Sequence, residues 1–293
     1  IKFNSSVMKK YFLLMRLDRP IGIMLLFWPC AWGFAIISSE RPIDNHWFTY
    51  LFLFFIGSIL MRSAGCVYND IIDKKIDRKV SRTQFRQLAT GKISTPKAWA
   101  LTIFLSLVSL IILFQFNIIA IVFGLSSGIL ITLYPFMKRI TYWPQLFLGI
   151  VFNWGVILSY LVFNHQVNLE IILIYISAIL WTLGYDTIYG LQDIYDDIKI
   201  GVKSTSLKFK NNIKEFLSII YLLSFALIIM VSILIVTEIN FYFMLYLLPL
   251  SLLIYQIQSV KINKSGKNLS LFKLNNYYGL SIFLIQIFIF NHA

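Results

Sequence analysis

Nine apolar runs govern what this chain can fold into, at roughly 21–38, 47–68, 98–115, 118–136, 144–163, 170–190, 215–236, 241–260 and 277–291. Most are close to the ~20 residues an α-helix needs to cross a bilayer, where the backbone must satisfy its own hydrogen bonds. The last is short, and the break between the third and fourth rests on Gln115 and Asn117. The chain is 58% hydrophobic and 13% charged over 293 residues, which excludes an ordinary soluble domain. The expectation is an all-α, polytopic membrane helix bundle of about nine transmembrane helices with cytoplasmic cap loops, forming one domain over residues 1–293.

The formal charge of +13 is a statement about topology. With the N-terminus in the cytoplasm, 24 of the 26 Lys and Arg fall in inner segments, from Lys2 to Lys273. Arg41 alone lies in an outer loop and Arg62 lies within a span. So lopsided a distribution fits positive-inside orientation and an odd number of spans. Nucleic acid does not explain it, because the basic residues are scattered through short loops with no recognisable binding module. The chain begins at Ile1, and a polar, basic segment precedes the first span without a small-residue cleavage site, so no cleavable signal peptide is expected. Cys30 and Cys66 fall inside spans and are expected to pack; His46, His165 and His292 lie far apart at the outer side.

Acidic residues are scarce, and their positions are informative. Of 13 in the chain, seven lie in two clusters: Asp70, Asp73 and Asp77, after the second span, and Asp186, Asp193, Asp196 and Asp197, after the sixth. Long inner loops, about 69–97 and 191–214, follow them. At about 100° per residue, Asp70, Asp73 and Asp77 share an arc of roughly 60°, with Asn69 and Arg62 at its edge, and Asp186, Tyr189, Asp193 and Asp197 share a similar one, provided each helix runs on past the membrane. Carboxylates concentrated at the mouth of a bundle are costly without positive compensation. Opposed across a cavity, the two faces suit Mg²⁺ bridging a diphosphate, since Mg²⁺ takes oxygen ligands and is commonly held by few carboxylates plus phosphate. The plainer alternative is a surface network with Lys74, Lys75, Arg78 and Lys199. Among the cations, Arg62 is expensive within a span unless it has a partner or an anionic ligand, and Arg82, Arg86, Lys138, Arg139 and Lys203 flank the clusters.

The run Asn69-Asp70-Ile71-Ile72-Asp73-Lys74-Lys75-Ile76-Asp77-Arg78, continuing through Arg82-Thr83 and Arg86 to Gly91, resembles the first motif of UbiA-type intramembrane prenyltransferases. Asp186-Thr187-Ile188-Tyr189, Gln192-Asp193, Asp196-Asp197 and Gly201-Val202-Lys203-Ser204-Thr205 resemble the second, especially in its 4-hydroxybenzoate polyprenyltransferase branch. Tyr134 to Arg139, Trp143-Pro144-Gln145, Arg16-Asp18-Arg19-Pro20-Ile21-Gly22 and Trp28-Pro29 extend the likeness over nearly the whole chain. Three positions depart from it: Gln87 where Pro is usual, Gly190 where Ala is usual, and Ser206 where Ala is expected.

The resemblance implies transfer of a polyprenyl group from polyprenyl diphosphate to the ring carbon ortho to the phenol of 4-hydroxybenzoate, a membrane step of ubiquinone biosynthesis. It implies a multi-pass protein of the bacterial inner membrane, with its N-terminus and active site facing the cytoplasm. Asn69, Asp70, Asp73, Asp186, Asp193 and Asp197 are its implied Mg²⁺ ligands, with Asp77 and Asp196 less direct. Lys138 and Arg139, joined by Arg62 and Lys203, are the implied diphosphate holders; Arg19 and Arg62 compete to read the acceptor carboxylate. Tyr134 and Tyr185 offer aromatic faces to an allylic cation. Related enzymes acting on homogentisate, a naphthoate or haem are the nearest alternatives. A transporter would more often place its carboxylates near the bilayer midplane.

Overall fold

The computed structural model describes residues 5–236, 238–262 and 264–292. Lys2 and Asn263, both in segments assigned above to the inner side, lie outside the described residues. A first helix, α1 (Ser5–Leu14), precedes α2 (Ile21–Glu40) and α3 (Asn45–Ile72), and a single turn, α4 (Lys74–Asp77), follows. The chain continues through α5 (Thr95–Leu113), α6 (Ile118–Leu133), the short α7 (Met137–Ile140), α8 (Pro144–Phe152) and α9 (Trp154–Leu161). It ends with α10 (Leu169–Gly190), α11 (Ile194–Ile200), α12 (Thr205–Lys208), α13 (Ile213–Val236), α14 (Leu247–Ser259) and α15 (Ser265–His292).

Eight helical segments are long and apolar enough to cross a membrane, among the described residues. The ninth expected span, 277–291, lies inside α15, whose 28 residues reach about 42 Å. It is not one of the eight. Its buried face carries Asn268, Asn275, Ser281 and Gln286, and these dilute its hydropathy. The break near Gln115 has a clear cause: Asn117 caps α6 by accepting from the Ala120 N–H at 3.0 Å and donates to the Leu161 and Val162 carbonyls. The fifth span is interrupted at Asn153, whose amide donates to the Gly149 carbonyl and to Thr182.

Burial sorts the helices into a centre and a rim. In α2 83% of the apolar window is buried and in α10 61%, against 11% in α5 and 17% in the segment containing α6. Helices apolar all round therefore occupy the middle, and those at the rim turn apolar side chains such as Ile103, Phe104, Ile118 and Ile129 outward. Trp32, Trp181, Tyr185 and Tyr278 pack ring on ring at centroid separations of 5.0–6.3 Å where α2, α10 and α15 meet. The indoles of Trp28 and Trp32 donate to Asn276 Oδ1 and to the Gly279 carbonyl, each at 2.9 Å, joining the first span to the last helix. Asn275 accepts from the Trp181 indole at 2.8 Å and donates to Gln256 at 2.9 Å, so this amide is paired at depth.

A small second core of Leu14, Val67, Leu88, Ile93 and Ala98 pins α1 and the loop after α4 against α3 and α5. It lies at the end of the bundle that carries the aspartates. At the opposite end Glu40 accepts from the Tyr160 hydroxyl and from the Asn164 and Asn168 amides.

Candidate active site

The two acidic motifs reach the same end of the bundle by different routes. Asn69 and Asp70 sit in the last turn of α3, Asp73 links α3 to α4, and Asp77 ends α4. The first motif is thus nearly one helix. The second is not: α10 stops at Gly190, the chain turns, and Asp193 begins α11. The single helical face expected for Asp186, Tyr189, Asp193 and Asp197 is therefore broken into two pieces. Gly201, at φ 72°, ends α11 in the left-handed region that glycine adopts freely. The returning chain then donates from the Lys203 N–H to the Lys138 carbonyl at 3.0 Å.

Each cluster is neutralised by cations from elsewhere in the sequence. Arg16 Nη2 donates to both oxygens of Asp70, at 2.7 and 3.0 Å. Arg86 Nη1 bridges Asp70 at 3.0 Å and Asp77 at 3.0 and 2.9 Å. Arg16 has φ 60°, the one positive value for a non-glycine residue among the described residues. Asp73 accepts from Lys138 Nζ, and its other oxygen lies 3.7 Å from Arg139. Burial raises the Asp73 pKa above the usual carboxylate range, against the pull of Lys138. Across the mouth, Arg82 forks onto Asp193 at 2.8 and 2.5 Å, donates to the Tyr189 hydroxyl at 2.9 Å and lies over the Tyr189 ring. The Ser81 N–H donates to Asp196 at 2.8 Å, a second tie between the cap loops. Burial, with the charge of Asp193 beside it, pushes the Asp197 pKa up to about 7. The partners are Arg16, Arg82, Arg86, Lys138 and Arg139, not the surface set of Lys74, Lys75, Arg78 and Lys199.

Asp186 accepts no hydrogen bond among the described residues; Arg62 and Arg82 are the cations that act on it through space. Arg62 makes no ion pair there either. Its guanidinium lies 5.3 Å from the Phe152 ring centroid and close against Gly22, where a Cβ would come within 2.5 Å of Nε. Cys66, Tyr134, Tyr185 and Tyr189, with Asp186, are among the polar groups around it.

Other expected site residues make their main contacts elsewhere. Arg19 is not brought to the cluster: its side chain is 63% exposed and pairs with Asp18 at 3.3 Å. Lys203 turns its ammonium to the Ile140 carbonyl and the Tyr142 ring. Tyr185 packs its ring on Trp181 and Phe272. Arg139 donates to the Ile72 carbonyl and lies over Phe136. Arg82 and Arg86, cations that flank the clusters in the sequence, and Arg16, to which the sequence assigns no role, are the site cations whose pairing sequence spacing leaves open, because nothing in it shows which basic residue turns back onto which carboxylate.

The donor set fits a hard divalent cation. Asp73 Oδ1 is buried and accepts no hydrogen bond, although carboxylate oxygens buried in this way are ordinarily paired. No group of three His, Cys, Asp or Glu converges among the described residues. A metal held here would need substrate oxygens and water to complete its shell, as Mg²⁺ commonly takes.

Two of the three departures from the family pattern compensate each other. A Cβ on Gly190 would overlap Ser206 Oγ, which donates to the Thr187 carbonyl at 2.7 Å. Gly190→Ala alone is expected to lower the thermal midpoint, and Ser206→Ala alone to change it little. The double variant is expected to recover about 1 kcal/mol of coupling in a double-mutant cycle; additive effects would show that the two sites are independent. At the third, the Gln87 N–H makes no hydrogen bond among the described residues, so the usual proline would sacrifice none.

The chain matches the model of the UbiA prenyltransferase family over residues 26–277. It is 49% identical over 217 residues to the mitochondrial 4-hydroxybenzoate polyprenyltransferase of Drosophila melanogaster, covering 73% of this chain and 54% of that protein. It is 34% identical over 279 residues to the 4-hydroxybenzoate octaprenyltransferase of Vibrio campbellii (strain ATCC BAA-1116), covering 95% and 96%. The chain thus spans about half the length of the Drosophila relative and nearly all of the Vibrio one. Among solved structures, a UbiA homolog from Archaeoglobus fulgidus bound to DMAPP and Mg2+ shares the fold, with a TM-score of 0.65, 17% identity and coverage of 97% and 100%. A bundle of membrane-spanning helices with both acidic motifs at one end, matched along most of its length, belongs to the UbiA prenyltransferase family.

Proposed function

We propose that this chain is a Mg²⁺-dependent transferase that moves a polyprenyl group from polyprenyl diphosphate to the ring carbon ortho to the phenol of 4-hydroxybenzoate. The observation that carries this is the meeting of the two motifs, with Arg82 on Asp193 and Lys138 on Asp73 at one mouth. The names of the Drosophila and Vibrio relatives support the acceptor, and the ligands of the Archaeoglobus structure support the metal and the allylic diphosphate.

Asp73, Asp186 and Asp193, with Asn69 and Asp197, supply the oxygens that would hold Mg²⁺. When bound, the metal stabilises negative charge on the departing diphosphate. Lys138, Arg139 and Arg82 donate to diphosphate oxygens, adding charge-assisted hydrogen bonds that strengthen as the allylic C–O bond breaks. Arg62, which makes no ion pair among the described residues and has Tyr134, Tyr185 and Tyr189 around it, donates to the acceptor carboxylate and thereby aims the ring. The apolar helices keep water from the allylic cation, and the ring face of Tyr134 stabilises it. The electron-rich carbon beside the phenol then attacks, and loss of its proton restores aromaticity. Asp70 and Asp77 hold Arg16 and Arg86 in place. The basic end is cytoplasmic in this scheme, as the positive-inside rule requires, and the membrane is a bacterial inner membrane.

The test supplies ring-labelled 4-hydroxybenzoate, a polyprenyl diphosphate and Mg²⁺ to membranes containing the chain. A labelled, prenylated hydroxybenzoate that disappears with EDTA is expected. Prenylation of a naphthoate or homogentisate in its place would overturn the acceptor.

A further inference from the structure

Metal and diphosphate face the same obstacle at this mouth. Both oxygens of Asp193 are engaged by the Arg82 fork, and one oxygen of Asp73 is engaged by Lys138. A carboxylate whose lone pairs already serve a guanidinium is not a free metal ligand, and a guanidinium already on a carboxylate is not a free phosphate donor. The other pairs differ. Arg16 and Arg86, half-buried themselves, form a network with the buried Asp70 and Asp77, with Arg86 shared between two acids.

Arg82 has a second attachment. Its Nη1 donates to the Tyr189 hydroxyl and its guanidinium lies 5.1 Å from the centroid of that ring. Tyr189 in turn packs on Phe272 at 4.6 Å. Released from Asp193, Arg82 therefore stays tethered at the mouth instead of swinging into solvent.

We propose that Arg82 and Lys138 are exchangeable counter-ions, which block metal binding until a diphosphate arrives to take them, so that metal and diphosphate bind as a coupled pair. The inference rests on the proposed metal–diphosphate site and deepens it. Metal alone has to strip Arg82 from Asp193 and leave it unneutralised, and at Asp73 it has to share with Lys138 a carboxylate that offers only its other oxygen. Diphosphate alone has to strip a carboxylate from each cation. Together they give all four groups new partners of opposite charge: carboxylates on the metal, Arg82 and Lys138 on phosphate oxygens. Coupling of this kind is reciprocal, so each ligand tightens the other by the same factor. The site then does not fill with free divalent cation.

The experiment uses the full-length chain in detergent, with radiolabelled Mn²⁺ and radiolabelled inorganic diphosphate as separate probes of binding, not of turnover. In the unaltered chain, Mn²⁺ is expected to tighten diphosphate binding by at least about tenfold. Arg82→Gln is expected to bind Mn²⁺ alone about tenfold more tightly than the unaltered chain, and to lose most of the coupling. Arg82→Lys, which keeps the charge and loses the fork, is expected to fall between them, and it carries the test if the Gln variant aggregates. Mn²⁺ binding by both variants no tighter than in the unaltered chain overturns the inference. Failure of the underlying site looks different: Asp193→Asn would then leave Mn²⁺-dependent diphosphate binding intact.

Discussion

Asp73→Asn is expected to slow prenyl transfer about a thousandfold, in the range seen when a preorganised charge is removed from a transition state. Asp73 is placed to do two things: one oxygen accepts from Lys138, and the other is buried without a hydrogen bond. Asparagine keeps the size and loses the charge, so the metal loses a ligand and Lys138 loses the partner that positions it. The readout is labelled product formed in membranes at saturating Mg²⁺, with the thermal midpoint in detergent as a control for folding. Near-normal turnover in a well-folded variant would remove Asp73 from the metal site. Asp70→Asn is expected to behave differently, destabilising the protein because Arg16 and Arg86 lose a shared, buried acceptor.

The second large effect is structural. Gly33 faces α9, and a Cβ there would overlap Ser159 Oγ and stand 2.7 Å from the Val156 carbonyl oxygen. A side chain could rotate away, but a helix carbonyl cannot. Gly33→Leu therefore forces apart two helices at the centre of the bundle, and about 3 kcal/mol of destabilisation is expected. Small residues allow such close approach in membranes, where association depends on packing contacts. Gly57→Leu is the matched control, because a Cβ at Gly57 meets nothing within 4 Å; its effect is expected to stay within about 0.5 kcal/mol. A fall in thermal midpoint confined to the Gly33 variant supports the tight contact, and equal behaviour would refute it.

Span positions were legible in the sequence because membrane crossing imposes one length and one composition. The exception is α15, where Asn275 and Gln286 lie on a buried face. A hydropathy window cannot separate a polar residue buried among helices from one at a boundary. The aspartates were legible as clusters through their scarcity. Helical periodicity served the first cluster, because Asp73 joins α3 to α4 with little interruption. It misplaced the second, because the chain turns between Gly190 and Asp193. Pairings such as Arg16 with Asp70, 54 positions apart, depend on the small core that seats Leu14, and no local pattern encodes that. The exposure of Arg19 beside a half-buried Arg16 has the same origin.

The contacts of α2 with α15 have a consequence for how the protein is made. Trp28 and Trp32 are synthesised early, and their hydrogen-bond acceptors, Asn276 and the Gly279 carbonyl, emerge 248 and 247 residues later. Until α15 inserts, the most central span exposes two indole N–H groups without the acceptors they have in the bundle. A ribosome that stops short of α15 thus releases a bundle open along one seam, marked by unsatisfied donors.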